Sequence, residues 1–272
     1  MDTLRITGGV AVITGAGSGI GAGLARHASS LGMRVVLADI DRKALEATRA
    51  TFAGDAIIVA ADVRNMTDVE ALAVQAYAAF GDVDLLFNNA GVLSTGLSWE
   101  IPAEAWQRSL DVNIGGIVNG LRAFVPRLIA ANRTARIINT ASVGGFLPSP
   151  LMSPYSATKF AVVGLTEALA GELAMLKTSV GVSLLSPGPV KSEIFREPPP
   201  DASSKFVGAM LEMLDENGLT PDEFAPLVFE AILRGDYWIF PQPERFDDRF
   251  AARNEMIAQR QAPLFYSIKA DD

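Results

Sequence analysis

The chain has 272 residues, 49% hydrophobic and 20% charged, with a formal net charge of −8. That is apolar enough to bury a core and argues against disorder, while the acidic balance speaks against a general nucleic-acid binder, which would carry a basic stripe. With no cysteine and a single histidine, His27, the chain excludes disulfides, thiolate chemistry and any site needing two histidines, and no metal is expected.

Short apolar runs alternate with longer helical patterns. Val10-Ala11-Val12-Ile13 reads as a buried strand, followed by a helix from about Ile20 to Leu31. Further strands are predicted over 34–38, 56–60, 83–87, 136–139 and 180–185, with a seventh at 237–240. Helical patterns fill about 42–52 and 69–80, two more fall between 87 and 136, and a long one runs from about Tyr155 to Leu176. Such alternation implies right-handed crossovers and a doubly wound parallel sheet with helices on both faces; the near-continuous apolar strands fit that burial. A sheet protein of this size is routinely one domain, so residues 1–272 are expected to form one catalytic unit. The N-terminus enters a strand pattern almost at once, and no stretch approaches roughly 18 uninterrupted apolar residues. No signal peptide or membrane span is expected, and cytoplasm is the default location.

Past Pro187 the pattern changes. Pro187, Pro189 and Pro198-Pro199-Pro200 are loop chemistry, and an apolar helical stretch follows over 205–214. Residues 193–215 are expected to be a lid over the sheet's edge, hinged at the triple proline and Ala202-Ser203-Ser204.

Two motifs carry chemistry. Thr14-Gly15-Ala16-Gly17-Ser18-Gly19-Ile20-Gly21 joins the first strand to the first helix, where glycines let a pyrophosphate approach backbone N–H groups at a helix start. It departs from G-x-G-x-x-G, because Ile20 stands where the last glycine would be. Asp39 closes the second strand and is positioned to accept from an adenosine ribose; Asp41, directly before the next helix, suits an N-cap better. The second motif is Tyr155-Ser156-Ala157-Thr158-Lys159: tyrosine and lysine at i and i+4 share one helix face. An ammonium there stabilises a phenolate and draws the tyrosine pKa down from about 10, fitting it to exchange a proton with an alcohol oxygen. Together the motifs predict a nucleotide-dependent oxidoreductase.

With Asn88-Asn89-Ala90-Gly91 after the fourth strand and Ser142 thirteen residues before Tyr155, the chain resembles the classical short-chain dehydrogenase/reductase family over about residues 8–192. The resemblance implies a Rossmann-like fold and the following roles. Gly15, Ser18, Gly19, Ile20 and Gly21 would meet the pyrophosphate and its ribose, and Asp62-Val63 the adenine, with a strand-end cap as the plainer reading of Asp62. Asn89, Ala90 and Gly91 would support the sheet and the cofactor ribose, an architectural role. Asn113 would interrupt its helix and position a water for a proton relay. Pro187, Gly188 and Val190 would pack on the nicotinamide, and Ser192, where the family usually has threonine, would bond the carboxamide. Ser142 would bond the substrate oxygen, Tyr155 take its proton, and Lys159 lower the tyrosine pKa and bond the ribose.

The expected reaction interconverts a hydrophobic, cyclic or aryl, secondary alcohol and its ketone. Asp39 would repel a 2′-phosphate, so NAD is the expected cofactor. Phe146, Leu147, Phe195, Phe206 and Met210 are expected to line the substrate pocket. A 3-oxoacyl reductase and a non-catalytic dinucleotide-binding regulatory protein are the alternatives. Small and apolar positions on the 155–176 helix, with the family's habit of pairing it across a twofold axis, imply a homodimer or homotetramer. No membrane or nucleic-acid partner is expected.

Overall fold

The computed structural model describes residues 3–263. Seven parallel strands form one sheet in the order β3-β2-β1-β4-β5-β6-β7. The strands are β1 (Val10–Thr14), β2 (Arg34–Asp39), β3 (Ala56–Ala60), β4 (Leu85–Asn88), β5 (Ala135–Thr140), β6 (Val180–Leu185) and β7 (Trp238–Ile239). The helices are α1 (Gly19–Ser30), α2 (Arg42–Arg49), α3 (Met66–Phe80), α4 (Ala103–Leu110), α5 (Gly116–Ala131), α6 (Ser153–Met175), α7 (Asp201–Asn217), α8 (Pro221–Arg234) and α9 (Asp247–Ala258).

Alternate strand residues feed two cores, as the pleat requires. Ile13 and Phe87 point to the face covered by α1 and α8, where Leu24, Phe224 and Phe229 are buried. Val12 and Leu86 point to the opposite face, where Leu72 of α3 and Phe124 of α5 pack. His27 lies edge-on to Phe229, with ring centroids 5.1 Å apart, and burial lowers its pKa, so it is a packing residue.

The strand order reverses at β1, which pairs with β2 on one side and β4 on the other. In such sheets the crevice beyond the carboxyl ends of the strands at this point receives ligands. Thr14 and Asn89 hold it open. The Thr14 hydroxyl accepts the N–H groups of Asn89 (2.9 Å) and Ala90 (3.1 Å), while Asn89 Nδ2 donates to the Thr14 carbonyl at 3.0 Å.

Two sequence expectations change. Helices α8 and α9 were not foreseen; α8 begins at a capping box of Thr220 and Glu223 with Pro221 behind the cap. The segment 202–204 is no hinge: it is the first turn of α7, and Ser203 is fully buried, its hydroxyl 3.0 Å from that of Thr95. The interruption expected at Asn113 takes the form of a π-turn, Asp111–Gly115, which breaks the α-helical pattern between α4 and α5 without a gap in the helical path. The continuous stretch Ala103–Ala131 is by length and composition apolar enough to cross a membrane, but Ile117, Ala123, Phe124 and Leu128 are core residues of this fold, which accounts for much of its apolarity.

Candidate active site

A cavity of about 1120 Å³ opens along the carboxyl ends of the strands. Its dinucleotide end is made by the β1–α1 turn. Gly19 has φ +49°, a conformation side-chain-bearing residues rarely take, and a Cβ on Gly21 would lie 2.1 Å from the Gly15 carbonyl oxygen. The turn is thus packed against itself as closely as a backbone can be. Ser18, the N-cap of α1, makes no side-chain cap bond, which leaves first-turn N–H groups available to an anion. Ile20 contributes a side chain to the lining without disturbing that turn.

Asp39 Oδ2 accepts the Gly17 N–H at 3.1 Å and Oδ1 the Asp41 N–H at 3.0 Å, so its carboxylate is fixed at the cavity edge. Asp41 caps α2 by accepting from the N–H groups of Lys43 and Ala44, as expected. The nearby cation, Arg42, is held by Glu46 at 3.1 Å. Asp62 also borders the cavity, yet it accepts the Arg64 N–H at 3.0 Å and grips the Arg64 guanidinium at 2.5–2.9 Å, which holds its pKa below the ordinary value. In its own contacts it is the strand-end cap of the plainer reading. A glycine-lined phosphate cradle, a fixed carboxylate at the end of β2 and an apolar flank at Ile40 and Val63 together fit an adenine dinucleotide.

Deeper in the cavity stand Ser142, Tyr155 and Lys159. Ser142 follows β5 and accepts the Gly144 N–H at 3.1 Å, which fixes its hydroxyl. Tyr155 and Lys159 share one face near the start of α6; both are buried, the ammonium lying 5.6 Å from the centroid of the phenol ring. Ser142 stands beside the Tyr155 phenol, and Lys159 Nζ donates to the Thr140 carbonyl at 2.8 Å. Burial pushes the Tyr155 pKa up, and the Ser142 hydroxyl opposes that. Burial also brings Lys159 down to about 8. Both groups are therefore moved toward their neutral forms, because a dry site disfavours charge of either sign.

Asn113 does not border the cavity. Wholly buried in the π-turn, its Oδ1 accepts the Val92 N–H at 2.8 Å, and its Nδ2 donates to the Val92 carbonyl (3.0 Å) and the Thr158 hydroxyl (2.9 Å). Its side chain thus ties the 90–93 segment to α6.

The remaining expected cofactor residues, Asn89, Ala90, Gly91, Pro187, Gly188, Val190 and Ser192, all border the cavity. Of the expected pocket residues, Leu147, Phe195 and Met210 do so as well. Phe146 does not: it turns away into an aromatic cluster with Trp238, Phe240 and Phe250, at centroid distances of 5.4–5.9 Å. Neighbours in sequence leaving a short helical turn point in different directions, so Leu147 faces the cavity and Phe146 does not. Phe206 lies behind the lining, packed with Ile194 and Phe195 on the buried group Leu93, Met152 and Tyr155. Sequence reasoning missed Leu93, Met152 and the whole contribution of α9, from Phe246 to Met256. The Phe and Met content of that tail was the one available signal.

The family model for the short chain dehydrogenases matches residues 9–202. This chain belongs to that family. A short-chain dehydrogenase/reductase from Burkholderia phymatum, solved in complex with NAD, superposes with a TM-score of 0.90 at 40% identity, covering 96% of this chain and 98% of that one. The C alpha-dehydrogenase of Sphingobium sp. is 34% identical over 248 residues, 86% of this chain and 81% of that protein. The 1-deoxy-11-beta-hydroxypentalenate dehydrogenase of Streptomyces exfoliatus is 34% identical over 248 residues, 88% of this chain and 86% of that protein. The protein is therefore an oxidoreductase built on the family's Rossmann-like sheet.

Proposed function

We propose that this family member is a NAD-dependent dehydrogenase that interconverts a hydrophobic secondary alcohol, cyclic or aryl, and its ketone. The observation that carries the reading is the apolar wall around the reactive pair. Leu93 and Met152 are buried against Tyr155, with Ile194 and Phe195 closing the same side and Leu147 and Met210 also facing the cavity. Such a wall suits a ring more than a polyol. The dehydrogenase names of the Sphingobium and Streptomyces relatives accord with it.

In oxidation, Ser142 bonds the alcohol oxygen while the Tyr155 oxygen receives its proton. NAD, when bound, would supply the acceptor for the hydride that leaves the same carbon. Lys159 contributes positive charge beside the phenolate, and this charge must offset the burial that otherwise keeps Tyr155 protonated. In reduction the same tyrosine starts protonated and serves as the acid. Asn113 acts through position, by holding the 90–93 backbone and α6 together.

NAD over NADP follows from Asp39. A 2′-phosphate about 4 Å from its carboxylate is disfavoured by roughly 4 kcal/mol per charge pair at an effective dielectric near 20. Arg42 is engaged with Glu46, which limits its power to offset that. The NAD in the Burkholderia structure is consistent with the preference.

Residues 193–215 serve as a lid on this wall, anchored rather than hinged at Ser203. Assembly as a homodimer or homotetramer is supported by the outer faces of α4 and α6. A Cβ added at Gly164 or Gly171 would meet nothing within 4 Å, and Leu110 is 38% exposed. A sedimentation mass near the 28.9 kDa of one chain would refute it. The activity itself is tested with a panel of aryl and alicyclic secondary alcohols, following reduced-nicotinamide absorbance with NAD and with NADP. Turnover of small polyols in preference to these alcohols, or equal efficiency with both cofactors, would refute the corresponding part of the reading.

A further inference from the structure

We propose that α9 carries an oxyanion subsite, so that the preferred substrate is an amphiphile: the apolar alcohol or ketone above, bearing a carboxylate or phosphate several bonds from the reacting carbon. The inference rests on the dehydrogenase reading of the site and adds to it a charged end for the substrate.

In a chain of net charge −8, Arg245, Arg249 and Arg253 recur at i, i+4 and i+8 through the turn before α9 and α9 itself, and all three border the cavity. The acidic residues of the same segment, Glu244, Asp247, Asp248 and Glu255, do not. Aromatic packing fixes this orientation. Phe250 inserts among Phe146, Phe240 and Phe246, and a Cβ on Gly188 would come within 2.7 Å of the Phe246 ring. The segment is thus moored beside the Pro187-Gly188 loop, with Arg253 half-buried and Arg245 and Arg249 exposed at the cavity's rim.

Arg253 is the best placed of the three. Its guanidinium lies over the Phe160 ring at 5.0 Å. Phe160 directly follows Lys159 on α6 but backs the cavity without bordering it, about 7.5 Å along the axis and roughly 140° round it from Tyr155. A guanidinium resting on a ring keeps its in-plane N–H donors for a second partner, in the fork that carboxylate and phosphate match. Among the described residues, neither Arg245 nor Arg253 has an ion-pair partner. The acidic groups bordering the cavity lie elsewhere. Asp39, Asp41 and Asp62 are at the dinucleotide end, Glu197 is fastened to Arg108 at 2.5 and 2.6 Å, and Glu193 is on the turn before the lid helix. An anionic head group is therefore the natural counterpart for Arg253 at this end of the cavity.

The test compares para-(α-hydroxyethyl)benzoate, its methyl ester and para-(α-hydroxyethyl)phenyl phosphate with NAD, using the full chain, Arg253→Gln and Arg253→Lys. The acid-to-ester ratio of kcat/KM is expected to be roughly tenfold at low ionic strength, to shrink with added salt, to approach one in Arg253→Gln and to persist in Arg253→Lys. A greater advantage for the phosphate than for the carboxylate identifies phosphate as the natural head group. A ratio near one in the unmodified protein, or one that survives Arg253→Gln, overturns the subsite; turnover of all three alcohols alike would leave the dehydrogenase reading standing. If none is turned over, that reading fails for aryl alcohols, and calorimetry of para-acetylbenzoate binding to the NAD-loaded protein then decides the subsite. Binding lost in Arg253→Gln supports it, and binding that is absent or unchanged overturns it.

Discussion

The two ends of the cavity are built on different principles. The dinucleotide end is backbone: a glycine turn closed to within contact distance of itself, a carboxylate fixed by two N–H donors, and Asn89 lacing β1 to β4. Each part sits at or beside the end of a strand or the start of a helix. The substrate end is side chain: Leu93, Met152, Phe195 and Met210, with the arginine row of α9, supplied by loops and helices far apart in sequence. A backbone site recognises a constant ligand because little in it can vary, whereas a side-chain wall can be recomposed residue by residue without disturbing the sheet. The proposed chemistry sits at the seam, with Ser142 just past a strand end and Tyr155 and Lys159 on α6.

The largest effect is expected at that seam. Tyr155→Phe should lower kcat by roughly 10²–10⁴ while dinucleotide affinity, measured by fluorescence titration, stays close to that of the unmodified protein. Retained turnover would mean that another group moves the proton. At the backbone end, Asp39→Asn keeps the shape of the side chain and removes its charge. The ratio of NADP to NAD efficiency should rise by between ten- and about a thousandfold, the upper figure corresponding to a full 4 kcal/mol interaction. No change would assign cofactor choice to other residues.

A stability measurement sharpens the account of the seam. Lys159 is buried with a pKa of about 8, against 10.5 for an exposed lysine. Below the lower value the folded state holds a buried charge. Between the two, the unfolded chain binds more protons than the folded one, so stability rises with pH. Burial of the ammonium therefore costs roughly 3 kcal/mol below about pH 8, and the cost fades toward pH 10.5. Lys159→Met should be more stable than the unmodified protein at pH 7 in urea unfolding, with the gap narrowing as pH rises from 8 to 10. A gap independent of pH would show that the lysine charge is fully compensated by its surroundings. The smallest effect belongs to the side-chain end: Met210→Ser should raise KM for bulky apolar alcohols several-fold, about 1 kcal/mol, and leave NAD binding unaltered. An equal loss for small alcohols would place Met210 outside the substrate wall.

Legibility in the sequence follows the same division. The seven strands, the glycine turn, Asp39 and the Tyr155–Lys159 pair could be read because strand burial, tight turns and one-turn helical spacing are local properties of the chain; Ser142 stood out only through the family resemblance. The tail resisted. The helix start of α7 absorbed the expected hinge, since Ser203 found a buried partner in Thr95, over a hundred residues away. The place of Phe146 after Ser142 predicts a pocket residue, but the aromatic rings of β7 and α9 draw it to the other side.

By itself, then, the sequence determined the order of strands and helices, the position of the glycine turn and the one-turn spacing of Tyr155 and Lys159, because periodicity and spacing act over a few residues. Only the tertiary structure decided what surrounds that chemistry. It dries Tyr155 and Lys159 enough to drive both toward neutrality, ties Asn113 to Val92 and Thr158, and sets the arginine row of α9 at the cavity's rim. Desolvation and contact depend on which distant segments meet, and no local pattern records that.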